Sequence, residues 1–329
     1  MKRKITVRTL SAMLFALCVP AEAQQSTKVP QIGYLAAAPL SAITHRTEAF
    51  RQGLRELGYV ERKNIIIEWR SPEGKRDRAP ALATELVRLK VDVIVTAGAG
   101  ATRPAKAATA TIPIVMASDD DPIVNGFVAS LARPGGNITG LSTLAPELSG
   151  KRLELLKEIV PRLARVAVFG SSTNSSANAR SMKETELAAG AFGVKLQYLD
   201  ILDYKDIEPA FQAANKGRAD AVLMLVSGPV YNAYRAQVAE LAVKSKLPVI
   251  YERANDVEVG GLMTYGVNLT DLDRRAAVYV DKILKGAKPA DLPVEQPMKF
   301  EFIINLKAAK QIGLTIPPNV LVRADRVIR

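Results

Sequence analysis

The chain reads as an α/β protein of two Rossmann-like lobes, each a parallel sheet wrapped by helices, and three observations predict it. A strand-then-helix pattern is written twice. The first copy runs QIGYLAAA (Gln31 to Ala38), VDVIVTAGAGAT (Val91 to Thr102) and IPIVMASDDDP (Ile112 to Pro122). The second runs RVAVFGSSTNSSAN (Arg165 to Asn178), ADAVLMLVSGPVYNAY (Ala219 to Tyr234) and LPVIYERAN (Leu247 to Asn255). Each run is short, continuously apolar and closed by small or polar residues ahead of a helix-like stretch, as in a parallel strand buried on both faces. The second observation is size: 329 residues with 48% hydrophobic content supply two cores of ordinary dimensions more naturally than one. The third is punctuation, since the turn signals RPGGNITG (Arg133 to Gly140) and LAPELSG (Leu144 to Gly150) separate the copies and mark a crossing between lobes.

Taken in order, the chain opens with Lys2, Arg3, Lys4 and Arg8, an apolar stretch from Leu10 to Pro20, and Ala21-Glu22-Ala23. A basic flank, a short apolar core and a small-x-small ending describe a secretory signal over 1–23, too short to anchor in a bilayer. The mature protein is expected to begin near Gln24 and to reside in the periplasm. The single cysteine, Cys18, lies in that core, so the cleaved chain has no thiol and no disulfide. A lipid-attachment role for Cys18 is disfavoured by the bulky Leu17 before it. After the first strand, Phe50, Leu54 and Leu57 form the stripe of an amphipathic helix ended by Gly58. NIIIEWR (Asn64 to Arg70) reads as a strand, with Trp69 as packing, and ALATELVRLK (Ala81 to Lys90) as a helix. Helices follow over Lys151 to Leu163 and Asn178 to Gly193. GGLMTYGVN (Gly260 to Asn268) is a glycine-flanked strand or crossing, and LTDLDRRAAVYVDKILKG (Leu269 to Gly286) a strongly patterned helix. A proline-rich stretch then leads to FEFIINLKAAKQIGLTIPPNVL, a strand and a short helix.

The formal charge is +12; the signal's four basic residues against Glu22 remove three units and leave about +9. Such an excess invites a nucleic-acid reading. The basic residues are dispersed among acidic ones, as in KRLELLKEIVPRLAR, without aromatic interleaving, helix-turn-helix or zinc spacing, so a solvated basic surface is expected and no nucleic-acid partner.

Longer stretches carry a family resemblance. They are IGYL (Ile32 to Leu35), FRQGLRELGYVERKNI (Phe50 to Ile65), DPIVNGFVASLARPGGNITG (Asp121 to Gly140), LSGKRLELLKE (Leu148 to Glu158), GGLMTYGVN and DKILKGAKPADLPVEQPMKFEFIINLKAAKQIGLTIPP. Over nearly the whole mature chain these resemble the ABC-transporter substrate-binding proteins of the tryptophan/tyrosine type. The resemblance implies a periplasmic binding protein of type I architecture with three inter-lobe crossings, which hands a small solute to a membrane permease. It divides the chain into lobe one, 24–143 plus 264–290, and lobe two, 144–263 plus 291–329, acting as a monomer without cofactor or metal. Two departures bear on the ligand. Ser227-Gly228-Pro229 stands where amino-acid binders of the family carry a polar or acidic group, and Ala97-Gly98-Ala99-Gly100 replaces a Gly-Thr-Pro type turn.

Ligands of parallel sheets sit outside the carboxyl ends of the strands, where loops lead into helix N-termini whose free N–H groups suit an anion. The expected anion site lies near Gly98, Ala99 and Ala101 in lobe one and near 172–176 in lobe two. Thr96, Ser118, Ser142, Ser171, Asn174 and Ser227 supply short polar side chains, for which capping or turn roles compete with ligand contact. Asp121 is placed to receive an ammonium, hold a loop or cap a helix. Tyr34, Tyr231, Tyr251 and Tyr265 are candidates for stacking on a flat ligand. Glu252 is the acidic group best placed to meet an ammonium in lobe two, with Arg253 beside it to bind a carboxylate.

An enzyme is the main rival. One histidine, His45, begins a helix, and neither G-x-S-x-G nor H-E-x-x-H occurs, which leaves a carboxylate pair such as Asp119 with Asp121 for hydrolytic chemistry. Three consecutive acids do not converge on one metal ion. A ligand sensor of the same fold that signals without a dedicated permease has an identical sequence signature.

Overall fold

The computed structural model describes residues 29–143, 146–172, 175–226, 231 and 234–329. The first apolar runs become β1 (Gln31–Ala36), β2 (Ile66–Arg70), β3 (Val93–Ala97) and β4 (Ile114–Asp119), followed by β5 (Ile138–Ser142). All pair in parallel, in the order β2-β1-β3-β4-β5. Helices α1 (Thr44–Glu56), α2 (Ala79–Arg88) and α3 (Ala99–Ala108) connect them. β5 lies in a segment that reads as a turn from its glycines and proline. Gly140 resolves the contradiction: at φ +131°, a Cβ there would stand 2.2 Å from the Met116 carbonyl oxygen, so only glycine lets β5 approach β4 this closely.

The chain then crosses into a second sheet. There α4 (Leu148–Ile159), β6 (Arg165–Gly170), α5 (Ser175–Phe192), β7 (Lys195–Asp200), α6 (Ile207–Lys216), β8 (Ala221–Met224), α7 (Arg235–Lys244), β9 (Val249–Tyr251), α8 (Ala254–Glu258) and β10 (Met263–Val267) follow one another. At Asn268, whose side chain caps the next helix by accepting from Asp271 N–H, the chain returns to the first lobe as α9 (Leu269–Leu284). It runs beside β5 to Glu295, whose carbonyl accepts from Ser142 N–H at 2.9 Å. It then crosses a third time to β11 (Phe300–Asn305), α10 (Leu306–Ile312), α11 (Pro318–Leu321) and β12 (Arg326–Ile328). The second sheet has the order β12-β11-β10-β9-β8-β6-β7, with β10 and β11 antiparallel.

Two expected boundaries shift accordingly. The strand within 264–290 belongs to the second sheet, between β9 and β11, and residues 291–295 run along the first. Both sheets are buried on both faces. In lobe one, Ile32, Tyr34, Ala36, Val95 and Val115 pack against α1 and α9, while Leu35, Ile94, Ile114 and Met116 pack against α2 and α3. In lobe two, Val166, Val168, Leu223 and Ile250 face α4 and α10, and Ala167, Phe169, Val222 and Val249 face α6 and α7. Burial on this scale, at roughly 25 cal/mol per Å² of apolar surface, is what holds a fold without disulfides together.

Candidate functional site

The carboxyl ends of the two sheets face each other. Asp121, just past β4, pairs with Arg180 in the second turn of α5, the helix that follows β6; the same guanidinium pairs with Glu147 at the entrance to α4, at 3.1 Å. The space between these loops is the candidate ligand cleft.

Lobe one contributes a basic group and a helix terminus. In α1's first turn, Arg46 donates from Nε to Asp273 Oδ2 at 2.5 Å and from Nη2 to Ser118 Oγ at 2.9 Å. Tyr34 donates to the other oxygen of Asp273 at 2.9 Å. Burial works to lower the Arg46 pKa, but the charges of Asp273 and Tyr34 outweigh it and the pKa is raised; this cation keeps its charge. Two of its three nitrogens are committed, and Nη1 is the remaining edge. Ser118, the acceptor of Arg46, pairs with Ala97 of β3, and the next residue, Gly98 (φ +94°, ψ 159°), turns the chain from β3 into α3. Its carbonyl accepts from Ala101 and Thr102 N–H, and Ala99 and Gly100 carry the first N–H groups of the helix, which have no intrahelical acceptor.

Three acids close β4 and follow it, and each has a different neighbour. Asp119 is 1% exposed; its Oδ1 accepts from Asp121 N–H at 3.1 Å and from Asn125 Nδ2 at 2.9 Å. Burial pushes its carboxyl up to about 7, helped by Asp120 and opposed by the Asn125 hydrogen bond and by Arg103. Asp120 accepts from the Thr143 hydroxyl at 3.4 Å. Asp121 accepts from Ile123 and Val124 N–H at 3.0 Å each, fixing the turn, while its other oxygen meets Arg180. Among the described residues no group of three or more His, Cys, Asp or Glu side chains is arranged to hold a metal ion.

Lobe two presents a buried ion pair. Arg152, 1% exposed in α4, donates to Glu252 Oε1 at 3.1 Å and to the Tyr265 carbonyl at 2.8 Å. Burial raises the Glu252 pKa against the pull of Arg152 and Arg253, and the charge of Asp120 from the opposite lobe raises it further. A small pocket beside Glu252 is lined by Met224, Val226, Tyr231, Arg253 and Asp256. Asp256 pairs with Arg235 at 3.3 Å.

The expected residues divide. Gly98, Ala99, Ser118, Asp121 and Glu252 stand at cleft-side strand ends or loops. Tyr34 does not: alternation along β1 turns its ring into the core against Phe50 and Trp69, at 5.4 and 4.7 Å between centroids. Trp69 packs there as expected. Thr96 is wholly buried with its hydroxyl 2.8 Å from that of Thr102, so it secures the first turn of α3. Ser142 is buried where β5 meets Glu295. Ser171 uses its N–H on Asn178 Oδ1, and Ser172 N–H is taken by Asp200 at 2.8 Å, which removes it from the expected anion site in lobe two. Tyr231 and Tyr251 are buried under the pocket beside Asp256, and their phenol pKa values are raised, chiefly by burial. Tyr265 is half-buried and stacks on Phe300 at 6.0 Å. Asn174 and Ser227 lie outside the described residues. Arg46, Arg152 and Arg180 escaped the sequence reading, because their partners are 227, 100 and 59 positions away.

The sequence model of the family described as "ABC transporter substrate binding protein" matches residues 39–328. A tyrosine-binding protein of Clostridioides difficile is 24% identical over 300 residues, covering 88% of this chain and 82% of the relative. The crystal structure of a conserved domain protein from Vibrio cholerae superposes with a TM-score of 0.82 at 30% identity, over 91% of this chain and 100% of the other. That of an ABC domain in complex with L-Trp from Streptococcus pneumoniae also gives 0.82, at 27% identity, over 92% and 100%.

Proposed function

The chain belongs to the ABC transporter substrate-binding protein family, and from that membership we propose that it captures an aromatic amino acid between its lobes and hands it to an ABC importer. Proteins of this family act outside the cytoplasm, with a small-molecule ligand and an ABC permease as partners. We take 1–23 as the export signal and the mature protein as a monomer.

The observation that carries the choice of ligand is a basic half-site in lobe one, in a chain whose relatives are named for tyrosine and L-Trp. A ligand carboxylate fits against the Ala99 and Gly100 N–H groups and the free edge of Arg46. Glu252, Asp121 and Tyr265 belong to the surrounding wall. Three crossings make the hinge. A ligand that touches both lobes favours the closed form in proportion to its differential affinity for it, and the Arg180 pair with Asp121 adds to closure.

The test is calorimetric titration of residues 24–329, freed of carried-over ligand, with L-tyrosine, L-tryptophan and L-phenylalanine, joined by small-angle scattering. Binding of one of them with a reduced radius of gyration is expected, with about 2.7 kcal/mol of added stability at 100 times the dissociation constant. No heat with any of the three, or binding without compaction, overturns the corresponding part of the proposal.

A further inference from the structure

The described carboxylates around the cleft mostly have a partner of their own. Glu252 is held by Arg152 at 3.1 Å, Asp256 by Arg235, Asp121 by Arg180 and its own turn, and Asp120 by the Thr143 hydroxyl. Asp119 differs. Its Oδ1 accepts two hydrogen bonds, while Oδ2 is buried and has no hydrogen-bond partner. A buried acceptor left without a partner is destabilising, and native structures seldom keep one without a use. The residue is not remote from the cleft. Its carbonyl accepts from Thr143 N–H at 2.8 Å, on the first inter-lobe crossing, and Asp121, two residues on, contacts Arg180 of lobe two.

We propose that Asp119 Oδ2 is the acceptor for the solute's primary ammonium group, making Asp119 the residue that selects amine-bearing solutes over their desamino counterparts. This assignment rests on the amino-acid reading above. It gives a zwitterion two separate receivers in lobe one: Arg46 and the α3 N-terminus for the carboxylate, Asp119 for the amine. Burial raises the Asp119 pKa, and an adjacent ammonium favours the ionised form that accepts it. The groups facing Asp119 are Asn125, Asp120 and Arg103, and none of them fills Oδ2. Glu252, Asp121 and Asp256 are each paired with an arginine, which leaves Asp119 as the buried cleft acid without a cation, in a chain that carries Ser227-Gly228-Pro229 where amino-acid binders of the family have a polar or acidic group.

The experiment titrates the mature wild-type protein, Asp119→Asn and Asp120→Asn with two matched pairs: L-tyrosine against 3-(4-hydroxyphenyl)propionate, and L-tryptophan against indole-3-propionate. Wild type is expected to prefer the amine-bearing member. In Asp119→Asn the preference is expected to shrink by about 10- to 100-fold, the worth of a hydrogen bond to a charged group, with affinity for the desamino acid held. Asp120→Asn keeps the wild-type preference. A preference unchanged in a folded Asp119→Asn overturns the assignment and leaves the amino-acid reading standing. Wild type that binds neither pair overturns that reading, and the assignment with it.

Discussion

Replacing Asp119 by asparagine tests the physical state of the buried acid with no ligand present. The native carboxyl keeps its proton up to about pH 7, whereas an unfolded aspartate releases it near pH 4, about three units lower. Between those values the folded chain binds more protons than the unfolded one, so the stability this group confers is present at about pH 4 and lost as pH rises through about 7. Three units correspond to about 4 kcal/mol. Partial relaxation of the ionised group toward water reduces the expected loss to about 2–4 kcal/mol. Asparagine retains an acceptor for Asp121 N–H and Asn125 Nδ2, and its amide nitrogen takes the place of the O–H of the neutral acid. The two proteins are therefore expected to be similar at pH 4.5, and the variant to be more stable by about 2–4 kcal/mol at pH 8.5. Glu252, Asp256 and Glu301, whose pKa values are also raised mainly by burial, titrate in both proteins and cancel in the difference. Urea unfolding at half-unit pH intervals reads the difference directly. A wild-type-minus-variant stability that stays flat from pH 4.5 to 8.5 refutes the reasoning.

Arg152→Met strands Glu252 in a buried setting and removes a donor to the Tyr265 carbonyl; a loss of about 3–5 kcal/mol is expected in chemical denaturation, largely restored by adding Glu252→Gln. Gly98→Ala meets little steric resistance, since Ala37 Cβ is 3.9 Å from the new Cβ, but it puts a side chain at φ +94°, ψ 159°, a conformation essentially reserved for glycine. The expected stability cost is about 1–3 kcal/mol, together with weaker binding of whichever amino acid wild type takes, both read in one thermal-shift titration. Arg180→Gln removes the pair with Asp121 that joins the lobes at a partly exposed rim, together with a pair to Glu147 inside lobe two. Ligand affinity is expected to fall by no more than about fivefold, in keeping with about 0.2–1 kcal/mol per pair, and its salt dependence between 50 and 500 mM to flatten; equal salt slopes for wild type and variant count against a role in closure.

The strands that could be read from the sequence are those whose burial leaves no choice. β1, β3, β4, β6, β8 and β9 are apolar on both faces, and continuous runs of Val, Ile, Leu and Ala permit little else. That same property hid which way each side chain points. Tyr34 sits near a strand's carboxyl end and so looked like a cleft residue, yet its position in the alternation with Ile32 and Ala36 commits it to the α1 and α9 side, where Asp273 receives its hydroxyl. In a strand buried on one face, the polar residues would have announced that parity. β5 was illegible for the opposite reason: Gly140, there to let two backbones approach, is in composition the same glycine that marks a turn. Gly266 has a related role in β10, where a Cβ would stand 2.0 Å from the Glu252 carbonyl oxygen, but there the flanking Met263, Tyr265 and Val267 kept the strand visible. In the cleft, the backbone half of the site was legible, because Gly98 followed by small residues after a strand is a local signal. The charged half was not: Arg46 meets Asp273 only through the return of the chain to lobe one as α9, and Arg152 meets Glu252 across a hundred residues of lobe two. The Asp119 to Asp121 run was visible as a cluster, and only burial distinguishes its members, placing one oxygen of the first where nothing in the described chain meets it.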